Sequence, residues 1–365
     1  MLFTATAALA PPIARPEPPG RGSLTVAGYF SAMTGLGMAA RRLHVGLQTA
    51  GLEAAMADLT GPLRQGPPGP PPQVPDGPGT LLVHVNAPML PWALLALGRR
   101  AVAGKRVIGV WNWELPVLPA DWTRGFRACH RIWVASRFVA EACRRASGAP
   151  VAVVPYPVPR PCPSGLRRAD FGLPEDAFVA LQVFDAGSSL SRKNPLGAIA
   201  AHRAAFGDSP CHLLVLKTQN AARAGRAWAE VAAAATATAN VRVIDQVMPE
   251  ADLAALMLAA DAVLSLHRAE GFGFVVAEAM ALGRPVVATG WSGNMDFMAG
   301  PGTFAVPWRS VPARDPQATY DLPGATWAEP DIAAAAAYLR RLAADPAPQT
   351  PSMVFPLPDY AALLR

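Results

Sequence analysis

Ser265 to Met298 reads SLHRAEGFGFVVAEAMALGRPVVATGWSGNMDFM, and this stretch decides the fold. The run that leads into it, Ala262-Val263-Leu264-Ser265-Leu266, has the length and apolar character of a buried strand. His267 to Gly273 then breaks the pattern with two glycines. Phe274 to Leu282 is rich in Ala, Met and Glu and predicts a helix, which Gly283 ends. Arg284 to Thr289 is the next strand, and Gly290-Trp291-Ser292-Gly293-Asn294 is a second polar turn. The unit is strand, loop, helix, strand, loop, with both loops at the carboxyl ends of their strands. In open α/β sheets that edge binds ligands.

Gly271 and Gly273 let the backbone approach a ligand closely. The helix after them starts with unpaired N–H groups, which suit phosphate or sugar oxygens. A glutamate early in a helix complements its dipole, and this accounts for Glu278. It does not account for Glu270, eight positions earlier beside two glycines. Two carboxylates flanking a phosphate-sized cradle point to hydroxyl recognition, for example of a ribose and a hexose.

The Glu270-x7-Glu278 spacing, the Gly271-Phe272-Gly273 inside it and the following Ala-Glu-Ala-Met-Ala-x-Gly-x-Pro-Val-Val-Ala-Thr resemble a known motif. It is the donor-site motif of retaining glycosyltransferases with the GT-B fold, in particular family 4, the glycosyl transferases group 1. The resemblance implies an α/β chain of two Rossmann-like domains facing a central cleft. A nucleotide-sugar donor would sit on the second domain and an acceptor on the first.

The composition agrees with that size and class. The chain has 365 residues, enough for two domains, and 52% hydrophobic against 16% charged residues, enough for large cores. A net charge of +6 favours anionic ligands or an anionic membrane surface. No basic motif interleaved with aromatics points to nucleic acid. Cys129, Cys143, Cys162 and Cys211 form no Cys-x-x-Cys pair and have no histidines at ligand spacing, so a reduced cytoplasmic thiol set is expected. No run of eighteen apolar residues predicts a membrane-spanning helix.

Residues 1–23 lack a basic start and a strong apolar core, so they are expected to form a disordered leader. Residues 24–157 are the expected first domain. Its first strand, Leu24 to Phe30, runs into a loop with Gly35 and Gly37 and then a helix from Met38, an arrangement similar to a Rossmann turn. Residues 61–79 form a Pro/Gly-rich loop. Strands follow at Leu81–Asn86, Arg106–Val110, His130–Ser136 and Ala152–Pro157. Trp111-Asn112-Trp113-Glu114 ends one of them. Aromatic faces there suit sugar stacking or, equally, core packing, and a glutamate is costly to bury unpaired. Residues 158–165 are a Pro-rich hinge, residues 166–345 the donor domain, and residues 346–365 a tail expected to cross back to the first domain.

The resemblance also implies roles. In related sequences an Arg and a Lys about five residues apart grip the diphosphate. Here Lys193 stands at the Lys position, Ser188 at the Arg position, and Arg192 beside the lysine. Two adjacent cations at a helix start are unfavourable unless an anion is present. Lys193, with Arg192 or Lys217, is expected to stabilise the departing diphosphate. Glu278 is expected to bind ribose hydroxyls, and Glu270 with Gly271, Phe272 and Gly273 the transferred sugar. Ser292, Gly293 and Asn294 would add N–H groups, and Gly35 and Gly37 would face the donor. Trp111, Asn112, Trp113 and Glu114 would serve the acceptor. The sequence has no Asp-x-Asp, so metal-independent transfer without a cofactor is expected. Retention is implied through a short-lived oxocarbenium-like species, with no covalent nucleophile named.

The donor is read as GDP-mannose or, second, UDP-glucose, and the acceptor as a glycan or lipid-linked oligosaccharide in bacterial polysaccharide assembly. The implied location is cytoplasmic, peripheral to the inner membrane. Two other classes compete: a nucleotide-sugar epimerase of the same fold, which needs no acceptor, and a non-catalytic sugar-binding homologue.

Overall fold

A computed structural model describes residues 9–67, 69–345 and 352–365. Residues 1–8 of the expected leader, residue 68 of the Pro/Gly-rich loop and residues 346–351 of the expected tail lie outside the described residues. The chain divides into two compact units. One runs to Pro157 and takes in Pro356–Arg365, and the other is Val158–Phe355.

In the first unit, β1 (Ser23–Gly28), β2 (Ala55–Asp58), β3 (Gly79–His84), β4 (Lys105–Trp111), β5 (Arg131–Val134) and β6 (Val151–Val153) form one parallel sheet. Its order is β2-β1-β3-β4-β5-β6. β3 and β4 are buried along their whole length. Burial on both faces explains why they read as continuous apolar runs rather than alternating ones. Its longer helices are α1 (Gly35–Thr49), α2 (Leu90–Leu97) and α3 (Arg137–Ala146).

In the second unit, β7 (Phe178–Val183), β8 (His212–Thr218), β9 (Val241–Asp245), β10 (Ala262–Ser265), β11 (Val286–Thr289) and β12 (Thr303–Val306) form a second parallel sheet. Its order is β12-β11-β10-β7-β8-β9. The helices are α4 (Pro195–Phe206), α5 (Arg226–Thr236), α6 (Glu250–Ala259), α7 (Phe274–Ala281) and α8 (Ile332–Ala344). An antiparallel hairpin, β13 (Trp308–Pro312) and β14 (Thr326–Pro330), stands apart from the sheet. The sequence reading missed this hairpin, β2, β12 and α5.

In each sheet the strand order reverses once, between β1 and β3 and between β7 and β10. Loops leaving the carboxyl ends of such a pair diverge to opposite sides and leave a crevice. In the second unit the reversal sets the loop after β7 beside the loop after β10.

Residues 14–20 of the expected leader are bonded to the first unit. His130 Nε2 is 2.8 Å from the Ala14 carbonyl, and Thr80 Oγ1 donates to the Gly20 carbonyl at 2.9 Å. Glu17 pairs with Arg106 and Arg131, each at 2.8 Å. Arg106 also donates to the carbonyls of Pro18 and Pro19. A proline-rich backbone has no internal hydrogen bonds, so its carbonyls are open to such donors. Arg106 further donates to the Leu364 carbonyl, and the Tyr360 ring lies 6.3 Å from that of Trp133.

The four cysteines are free, two buried and two exposed. Among the described residues no helix is long and apolar enough to cross a membrane.

Candidate functional site

A buried charge cluster lies at the β7–β10 reversal. The loop after β7 ends in a one-turn helix, Leu190–Lys193, capped by Ser189, whose side chain accepts from Arg192 N. Asn194 follows with φ +52, in the left-handed region that asparagine tolerates, and its side chain caps α4 by accepting from Gly197 N. The loop after β10 brings Glu270. Lys193 Nζ donates to Glu270 Oε1, and Arg192 Nη1 lies 3.2 Å from the same oxygen. Arg192 Nη1 also donates to the Ala269 carbonyl at 2.9 Å, and Nη2 to Ser188 Oγ at 2.8 Å. Arg192 is 4% exposed, Glu270 12% and Lys193 19%. Burial by itself would raise the Glu270 pKa. The charges of Lys193 and Arg192 outweigh it and hold the carboxyl at about 2. Glu270 is therefore an ionised acceptor at neutral pH.

The loop after β11 completes this edge. Glu270 N donates to Ser292 Oγ at 2.9 Å, and Gly293 N donates to the Glu270 carbonyl at 2.9 Å. A Cβ on Gly293 would collide with the Gly271 carbonyl, so only glycine allows the two loops to pack this closely. Gly273 has φ +97 and opens α7. Phe272 is buried, its ring 5.0 Å from Phe274 and 5.2 Å from Phe297. Asn294 is fully buried. Its Oδ1 is 3.1 Å from His267 Nε2, and its Nδ2 donates to the Thr289 carbonyl. His267 Nδ1 lies 2.9 Å from Ser265 Oγ. Burial, with the Lys193 charge, lowers the His267 pKa against the pull of Glu270, which favours the neutral ring. Glu278 lies in α7 and is buried.

The structure thus brings together Lys193, Arg192, Glu270, Gly271, Gly273, Ser292, Gly293 and Asn294. The His267 link between the second and third loops was missed as a contact. A histidine just ahead of the Glu-Gly-Phe-Gly run was its only signal. Lys217 sits differently. It lies inside β8, buried, and its Nζ donates to the Thr218 and Gln246 carbonyls at 2.8 and 2.7 Å. Burial lowers its pKa despite Asp245 and Asp185. Its ammonium is committed to main-chain oxygens at the edge of β8 and β9, which corrects its expected place among the phosphate-binding cations.

The first unit carries the other candidates. Thr34 caps α1, with Gly37 N donating to its Oγ1 at 3.3 Å. A Cβ on Gly37 would collide with the Ala32 carbonyl, whereas one on Gly35 would meet nothing within 4 Å. Trp111 and Trp113 are 0% and 6% exposed. The Trp111 ring is 5.7 Å from Trp122 and 4.9 Å from Phe126, and Trp113 is 5.0 Å from Trp122. Trp113 Nε1 donates to the Val117 carbonyl. These tryptophans are core and do not form an exposed stacking platform. The middle of a parallel sheet is covered on both faces, and large aromatics gain most from that burial. Asn112 and Glu114, which alternate with them, are half-buried. Tyr156 OH donates to Asn112 Oδ1 at 2.9 Å and lies 2.7 Å from His84 Nε2. Burial lowers the His84 pKa to about 4.

The comparisons follow this division. Residues 201–321 match the family described as glycosyl transferases group 1. That range holds Lys217, Glu270, Glu278 and Ser292 to Asn294, while Arg192 and Lys193 lie just ahead of it. Among solved structures, sucrose-phosphate synthase from Thermosynechococcus elongatus is 18% identical with a TM-score of 0.63, over 89% of this chain and 90% of that one. HepE from Anabaena, solved with UDP and glucose, is 14% identical with a TM-score of 0.52, over 76% of this chain and 83% of that one. TarM from S. aureus, a mutant solved with fondaparinux, α-GlcNAc-glycerol and UDP, is 10% identical with a TM-score of 0.53, over 73% of this chain. The chain covers 49% of the length of that TarM structure. No curated protein matches the sequence. The stretch from 201 to 321 is similar to the glycosyl transferases group 1 family, and the chain that carries it has the GT-B fold.

Proposed function

We propose that the chain is a metal-independent, retaining glycosyltransferase that moves a hexose from a nucleotide-diphosphate sugar to a glycan or lipid-linked oligosaccharide. The observation that carries this reading is the Lys193–Glu270 pair on adjacent loops at the β7–β10 reversal, beside the glycine-rich start of α7. The family match and the fold support the transferase class.

Each group has a task that its chemistry suits. The α7 N-terminus offers N–H groups to phosphate oxygens. Lys193 supplies the positive charge that meets the departing diphosphate, an electrostatic contribution that grows as the bond breaks. Glu270, ionised at neutral pH, accepts hydrogen bonds from hydroxyls of the transferred sugar. Glu278 accepts from the ribose. Ser292 and Gly293 hold the Glu270 backbone in place. Asn112 and Glu114, the half-buried polar pair of the first unit, serve the acceptor. The base is read as guanine or uracil, and two structurally similar proteins hold UDP. The first unit has sixteen Arg and Lys against eight Asp and Glu. This surplus supports a place at the anionic cytoplasmic face of the inner membrane in polysaccharide assembly.

A thermal-shift screen against GDP, UDP, dTDP and ADP, with and without magnesium, tests the reading. A diphosphate at a hundredfold its Kd stabilises by about 2.7 kcal/mol, a shift of a few degrees. One nucleotide is expected to shift the wild type without metal and to lose that effect in Glu278→Ala. No shift with any of the four, in folded protein, overturns the donor-site assignment.

A further inference from the structure

Between β13 and β14 the chain makes an excursion over residues 313–325. Asp315, buried, organises it. Its Oδ1 accepts from Gln317 N, and its Oδ2 accepts from Thr319 N at 3.0 Å and Tyr320 N at 3.1 Å. The same Oδ1 accepts from Ser189 Oγ at 2.8 Å, and Ser189 is the cap of the Leu190–Lys193 turn. Gln317 adds three bonds to that segment. Its Oε1 accepts from Leu190 N at 2.6 Å, and its Nε2 donates to the Ser188 carbonyl at 2.8 Å and the Ala186 carbonyl at 3.3 Å. The Tyr320 ring centre lies 5.2 Å from the Arg192 guanidinium.

β14 braces the segment from a second side through Arg268. Arg268 pairs with Glu329 of β14 at 2.7 Å and donates to the Ser191 carbonyl at 2.6 Å. Arg268 N donates to the Arg192 carbonyl at 2.7 Å, and Ala328 N donates to the Arg268 carbonyl.

A single helical turn does not hold itself together, because nucleation costs more than one hydrogen bond returns. Its conformation must be imposed from outside. Adjacent residues on a helix point about 100° apart, so the rotation of the turn decides which of two neighbouring cations faces inward. Here Arg192 is 4% exposed and bonded to Ala269, Glu270 and Ser188, and Lys193 keeps 19% exposure.

We propose that residues 313–325 form a positioning strap. It sets the rotation of Ser188–Lys193 so that Arg192 turns inward behind Glu270 and Lys193 is the cation presented to the donor diphosphate. Asp315, Gln317 and Tyr320 are positioning residues that act through Arg192 and the Leu190–Lys193 turn. Arg192 itself orients Glu270 and does not grip phosphate. The proposal rests on the donor-site reading above.

The test uses the full chain with Gln317→Leu, Tyr320→Leu and Tyr320→Phe. Two readouts are taken: hydrogen exchange of the 185–194 peptide, and titration with UDP and GDP alongside uridine and guanosine. The two leucine variants are expected to exchange about tenfold faster in that peptide. They are also expected to bind the diphosphate about tenfold more weakly, with nucleoside binding unchanged. Tyr320→Phe keeps the aromatic face over Arg192 and is expected to match the wild type in both. If Tyr320→Leu does not fold, Gln317→Leu decides, since it removes the loop-to-loop bonds with little change in volume. Exchange and diphosphate affinity in Gln317→Leu equal to those of the wild type overturn the strap. A wild type that binds neither diphosphate overturns the donor-site reading, and the presentation of Lys193 with it. Diphosphate bound normally by a variant with faster exchange overturns the link between strap and cation while leaving the donor site standing.

Discussion

The two reversal points of this chain share a topology and differ in chemistry. At the β7–β10 reversal, Lys193, Arg192 and Glu270 converge within hydrogen-bonding reach and are held by glycine-rich loops. On the carboxyl edge of the first unit's sheet, His84 at the end of β3, Asn112 after β4 and Tyr156 after β6 form a neutral set, backed by an aromatic core of Trp111, Trp113 and Trp122. Strand order selects where a crevice lies. It does not select what the crevice recognises. The charged edge is suited to a phosphorylated ligand, and the neutral edge to a ligand read through hydroxyls.

The largest expected effect tests the aromatic edge as core. Trp111→Ala should cost about 3–5 kcal/mol of stability, measured by denaturant unfolding. An exposed stacking residue would instead cost little stability and mainly weaken acceptor binding. Next, Lys193→Ala should lower the transfer rate about 10²–10³-fold, the scale of a lost transition-state charge contact. A rate within twofold of wild type would remove Lys193 from the catalytic group.

The third prediction concerns pH. The His84 pKa is about 4 in the folded chain, against about 6.5 when unfolded. The unfolded chain therefore takes up a proton first as pH falls. The contribution is fully present above pH 6.5 and is lost progressively down to pH 4, by about 3 kcal/mol in total. His202 in the second unit is shifted by burial to about 4 as well, so both units should soften in that window. A shallower fall in His84→Gln than in wild type is expected, and identical slopes would exclude His84 as a source. Glu270 behaves differently. Its carboxyl is held at about 2, so its contribution persists through this range and fades only in stronger acid. The smallest effect separates two glycines of the first unit. Gly35→Ala should change stability by under about 0.5 kcal/mol. Gly37→Ala should cost clearly more, because its Cβ meets the Ala32 carbonyl.

Much of the charged edge was legible in the sequence, because local chemistry builds it. Glycines at 271, 273 and 293 mark close backbone approach, and Glu270, unlike Glu278, has no helix dipole to account for it. The aromatic edge was half legible. Trp111-Asn112-Trp113-Glu114 ends a strand as expected, but alternation says only that the tryptophans share one face, not that this face is covered. Lys217 fell the same way. Its charge suits a phosphate, but it lies buried inside β8 with its ammonium bonded to the Thr218 and Gln246 carbonyls. Residues 14–20 of the expected leader are ordered although they lack a basic start and a strong apolar core, because those features say nothing of the donors that wait for their carbonyls. Arg106, Thr80 and His130 supply them.

The sequence by itself determined the parallel α/β class, the glycine-rich loops at the carboxyl ends of β10 and β11 and the charged residue types they carry. These follow from periodicity, glycine placement and charge, all of which act over a few residues. Only the tertiary structure decided which cation is presented. Arg192 and Lys193 are neighbours with the same charge, and nothing local ranks them. Their ranking comes from Asp315, Gln317, Tyr320 and Glu329, more than a hundred residues later, which reach them because the hairpin folds back on the edge of its own unit. A choice between neighbours on one helical turn depends on rotation, and that rotation is fixed by contacts distant in sequence.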